Sequence, residues 1–194
     1  MDSFIEKILL IRPFLKKISE GNFFTKIFSW FLKILAVLAL VGFLLVSFKL
    51  WEGVFSVFDV KVFFVCLFME IIMIAMIFII INILLIRSIE IDSLPLSTDY
   101  TVIPIFVIVV KMLGEMLAVY FTLMGLGAGI AIWIVGAVPP VFPGMGQLGS
   151  GGGVAGGFIA VIMGPIVGFL MLSVSYLIAE QIGVFVDIAR NTKR

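Results

Sequence analysis

The sequence predicts an all-α integral membrane protein: four transmembrane helices arranged as two hairpins, preceded by an amphipathic interfacial helix. Three observations lead there. Apolar residues make up 63% of the chain and charged residues 13%, whereas soluble domains run near half and a quarter. Four apolar runs are each long enough to cross a hydrocarbon core, which takes about 20 helical residues. Lys and Arg gather in the flanks that would share one side of a membrane.

The elements follow in order. Residues 1–26 open with "MDSFIEKILLIRPFLKKISEG", in which Phe4, Ile5, Ile8, Leu9, Ile11, Leu15 and Ile18 recur at near-helical spacing. Lys7, Lys16 and Lys17 stand among the polar positions, so the stretch reads as a helix on the membrane surface, kinked near Pro13. A short helix packed on the chain's own inner loops has the same pattern. The first span covers about 28–48, with Lys33 snorkelling to the interface. The second, about 62–86, is interrupted only by Glu70. The third, about 102–123, contains Lys111 and Glu115, and the fourth, about 158–180, contains Pro165.

Between the third and fourth spans, residues 125–157 have no charge and are crowded with Gly and Pro. They are expected to form a long outer connection. Re-entrant backbone, a third helix continuing as far as Pro139 and Pro140, and a flexible loop all fit this composition. "FLKILAVLALVGF" can be laid over "VVKMLGEMLAVYF", matching Lys33 to Lys111, which suggests that the two hairpins are a parallel repeat.

Charge sets the expected orientation. Lys7, Arg12, Lys16, Lys17, Lys26 and Lys33 flank the first span, Arg87 follows the second, and Arg190, Lys193 and Arg194 follow the fourth. The other side holds Lys49 and Lys61. Both termini are therefore expected in the cytoplasm of a bacterial-type plasma membrane. No cleavable signal peptide is expected, because residues 1–20 mix apolar and charged positions.

Several function classes fall away. A net charge of +1 lacks the dense basic surface that nucleic acid requires. With no histidine and a single cysteine, Cys66, neither His/Cys metal sites nor Ser-His-Asp catalysis can be assembled. No metal, cofactor or enzymatic activity is expected. "GMGQLG" at 144–149 matches a dinucleotide fingerprint in spacing, but follows "VPPVFP" instead of a strand, so nucleotide is not expected as a partner.

Three constellations remain. By helical rise, Glu70 lies roughly 12 Å below the outer boundary and Glu115 roughly 20 Å above the inner one, with Lys111 one turn away. Glu70, Lys111 and Glu115 would thus form one intramembrane cluster, facing protein or water because lone ions in lipid cost several kcal/mol. Such a cluster either fixes helix register as a buried ion pair or binds a cation or relays a proton. Secondly, Gly153, Gly157, Ala160, Gly164, Gly168, Ser175, Ala179 and Gly183 form one small-residue stripe, suited to close helix packing within the chain or with another subunit. Thirdly, Arg87 and Glu180 lie near one level and are a candidate ion pair.

The closing segment "EQIGVFVDIARNT", together with "FFTKIFSWFLKIL" at 23–35, resembles a family of small two-span bacterial membrane proteins of unassigned function. The resemblance implies a membrane location and cytoplasmic termini, and supplies no activity. The expected function is that of a structural or accessory subunit of an oligomeric membrane complex. Its partners would be the lipid bilayer and, through the fourth span, itself or another membrane protein. The alternative is a small ion channel or proton-coupled transporter built on Glu70, Lys111 and Glu115.

Overall fold

The computed structural model describes residues 22–57, 59–94, 102–136 and 153–192, and they form four long helices. These are α1 (Asn22–Val57), α2 (Val60–Asp92), α3 (Val102–Val135) and α4 (Gly153–Thr192). All four are long and apolar enough to cross a membrane. The amphipathic segment expected at 1–26 lies outside the described residues up to position 21, and its last residues already belong to α1.

Helix is the form this composition demands. A backbone in hydrocarbon has no water to satisfy its N–H and C=O groups, so each segment must bond internally. The ends are set by local chemistry. Asp59 caps α2, its Oδ1 accepting from the Lys61 N–H at 2.8 Å. Pro104 sits in the first turn of α3, where a missing N–H costs nothing. Gly136 stops α3 at φ +80° and donates its N–H to the Ile132 carbonyl at 2.9 Å, an αL cap that glycine adopts without strain.

The helices pack in chain order, α1 on α2, α2 on α3 and α3 on α4, with α1 barely reaching α3. The two expected hairpins are therefore joined through α2 and α3 into an antiparallel row, and the α3–α4 contact is the most extensive. One core near the upper end (the α1–α2 turn) includes Leu50, Val65, Met69, Met73 and Met124. A second, toward the lower end (the start of α1 and end of α4), includes Leu32, Leu84, Ile91, Ile105 and Met112. Large apolar side chains such as Phe48, Phe78 and Phe169 are exposed on the outside, as a lipid-facing surface requires.

One expectation is corrected here. Residues 125–135 are the upper third of α3 and residues 153–157 are the first turn of α4, so the outer connection is far shorter than 125–157. Glycine was the misleading signal. In a membrane helix it marks close packing as often as a turn.

Candidate functional site

The side-chain chemistry collects at two levels. At the lower level Arg87 of α2 grips Glu115 of α3. Nε donates to Oε2 at 3.1 Å and Nη2 donates to Oε1, a bidentate pair with side-chain exposures of 16% and 19%. The remaining Arg87 nitrogen, Nη1, donates to Glu90 one turn along α2. Tyr176 of α4 completes the site, its hydroxyl donating to Glu115 Oε1 at 2.6 Å and lying 3.4 Å from Arg87 Nη2. The Lys111 ammonium stands 5.3 Å from the Tyr176 ring centroid, within cation–π range. Two cations and two carboxylates on α2 and α3 thus balance one another, joined to α4 by the Tyr176 phenol.

At the upper level stands Glu70. Ser47 of α1 donates its hydroxyl to Glu70 Oε1, while Oε2 is buried with no hydrogen-bond partner. Glu70 and Arg87 are seventeen residues apart on α2, about 25 Å along the helix. Between these levels α2, α3 and α4 carry no acidic or basic side chain, and α1 carries Lys33.

The structure therefore does not bring Glu70 to Lys111 and Glu115. The physical reason is the offset between α2 and α3. The bidentate pair sets Arg87 level with Glu115, so Glu70, seventeen residues farther up α2, stands beside the upper end of α3 instead of beside Lys111. Trp30 lies near the lower end of the row, and Trp51 and Trp133 lie near the upper end.

Arg87 likewise pairs with Glu115 and Glu90 instead of Glu180, which is exposed on α4. A helical turn separates them in level, and the guanidinium is already saturated by nearer acceptors.

The small-residue stripe of α4 packs on α3. A Cβ added at Gly164 would lie 2.7 Å from the Gly125 Cα, and one at Gly168 would lie 2.8 Å from the Ala118 carbonyl oxygen. Gly157 faces the Trp133 ring, whose Nε1 donates to the Val154 carbonyl at 3.0 Å. Ala160 and Ala179 are buried, and Ser175 fills the space over Gly114. Gly153 and Gly183 have nothing near their missing Cβ positions. The matching stripe on α3, namely Gly114, Ala118, Gly125 and Gly129, escaped the sequence reading although its near-regular spacing was legible.

Three further residues were missed. Tyr176 gave no signal beyond being a lone phenol in an apolar run. Ser29 and Ser88 are buried, Ser88 Oγ lying 3.0 Å from Ser29 Oγ and donating to the Ser29 carbonyl at 3.1 Å, which pins α1 to α2. Among the described residues, no three His, Cys, Asp or Glu side chains converge as metal ligands would. Compared with protein-family models, curated proteins and solved structures, the chain matches none.

Proposed function

We propose that this chain is a structural or accessory subunit of an oligomeric complex in a bacterial-type plasma membrane, with both termini cytoplasmic. The observation that carries the proposal is the saturation of Arg87 by Glu115, Glu90 and Tyr176 toward the lower end of the helices. A bidentate, charge-balanced network joining three helices sets register, and its groups are engaged with one another instead of being held open for a travelling ion. The transporter alternative needs Glu70 beside Lys111 and Glu115, and about 25 Å of uncharged helix separates them.

The open row supports the same reading. α1 and α4 stand at its two edges, and only 11% of the apolar window of α1 is buried. Because the small-residue stripe of α4 is occupied by α3, assembly with another subunit uses the outer faces of these edge helices. The Lys and Arg flanks and the resemblance of the closing motif support the orientation.

Native mass spectrometry from lipid nanodiscs, paired with flux assays in proteoliposomes, tests the proposal. The expected result is a defined assembly of more than one chain and no proton or cation flux above empty vesicles. A monomer with flux abolished by Glu70→Gln would replace this reading with the transporter one.

A further inference from the structure

Sulfur gathers in the upper core. Cys66, Met69, Met73 and Met76 are the sulfur-bearing residues of α2, and steps of three, four and three residues lay all of them on one face. That face packs into the core shared with α1 and α3, where Met124 of α3 adds a further thioether. Met69, Met73 and Met124 are 1%, 2% and 1% exposed, so water is kept from their sulfurs.

The backbone of α3 makes room for this group. A Cβ at Gly127 would lie 2.7 Å from Met69 Sδ, so the glycine leaves open the place that the thioether takes. One turn down from that contact stand Met73 on α2 and Met124 on α3, at one level of the antiparallel seam. Glu70 belongs to the same turn of α2, and its partner Ser47 lies one turn from Leu50 of that core. Glu70 Oε2 is buried and bonded to nothing, and a buried polar atom left so calls for an ion or water beside it. Methionine packing alone would fill the core. It would leave that oxygen unanswered and give no reason for every sulfur of α2 to share a face.

We propose that Met69, Met73 and Met124 hold a Cu(I) ion, with the Glu70 carboxylate compensating its charge. Histidine is absent from the chain, and thioether sulfur selects Cu(I) where oxygen ligands would select Mg(II) or Ca(II). Thioethers are neutral, so one monovalent ion and one carboxylate cancel, as burial of a charge requires. Each methionine has three rotatable bonds, which lets the sulfurs close on the ion without movement of the backbone. Cys66, one turn above Met69, stands outside the triad. Binding stands whether or not the chain assembles with others.

Titration of the full-length chain in nanodiscs with Cu(I), kept reduced by ascorbate without oxygen and competed against a Cu(I) chelator, tests this. A single ion per chain is expected, with sulfur neighbours in its X-ray absorption spectrum and no displacement by excess Zn(II). Met69→Leu and Met73→Leu are volume-conserving swaps that keep the core packed. Each should weaken binding roughly 10-fold or more, and Glu70→Gln should do the same by removing the compensating charge. Met163→Leu, on the outer side of α4, and Cys66→Ala should leave the affinity unchanged. Equal affinity in the unaltered chain and in the Met69→Leu, Met73→Leu double variant would overturn the proposal. So would loss of binding on Cys66→Ala alone, the mark of adventitious capture by the thiol, or an ion coordinated by nitrogen and oxygen only.

Discussion

Replacing Gly164 with alanine sets a methyl carbon 2.7 Å from the Cα of Gly125 and 2.7 Å from the carbonyl oxygen of Phe121. Carbon atoms rest at about 3.5–4.0 Å, so the two backbones must separate locally by about 1 Å. Neither obstacle can rotate aside, since both are main chain. A gap of that size forfeits a quarter to a half of each dispersion contact along the seam, and overpacking of a tight interior costs about 1–3 kcal/mol. Gly183→Ala on the same helix is the control: nothing lies within 4 Å of its added carbon, and helix propensity favours alanine by about 0.5–1 kcal/mol. That propensity gain is common to both variants, so they should differ by the overpacking cost alone, about 1–3 kcal/mol. Equilibrium unfolding in mixed detergent–SDS micelles, followed by Trp fluorescence, measures that difference. If Gly164→Ala and Gly183→Ala agree within about 0.5 kcal/mol, α3 and α4 do not meet at Gly125 and the register built on that contact is wrong.

Three other substitutions probe the remaining joints. Arg87→Met alone should cost about 3 kcal/mol by stranding Glu115, while Arg87→Met with Glu115→Leu should cost clearly less than the two singles summed; a double-mutant cycle in the same micelles reads the coupling. Ser88→Ala removes the bridge to Ser29, and a loss of about 0.6 kcal/mol, at most ~1.7, is expected, with increased amide exchange confined to α1 and α2. Gly136→Ala forces a side chain into φ +80° and should cost about 1 kcal/mol and fray the last turn of α3, visible as faster exchange of the Gly136-equivalent amide.

The number of helices and their lipid phase were legible in the sequence because hydropathy is a sum over some 20 residues, and no local detail overturns it. The face of α4 that packs was legible too, since small residues at near-regular spacing mark one stripe whatever lies opposite. The lower charged site was legible only in part. Lys111 and Glu115 stood out as ions in an apolar run, but Arg87 was read as a flank residue and Glu70 as their neighbour. A level counted from the first apolar residue of each run takes no account of the offset between α2 and α3, which only their contacts set.

Composition and periodicity alone determine that this chain is a set of helices long and apolar enough to cross a membrane, with one tightly packing face, because each of those properties belongs to a single segment. Which ions meet, and at what depth, is a property of the offset between segments. Long apolar helices slide past one another at little hydrophobic cost in a solvent as apolar as themselves. Close contacts such as Gly125 with Gly164, Ser88 with Ser29 and the grip of Arg87 on Glu115 hold that offset in place.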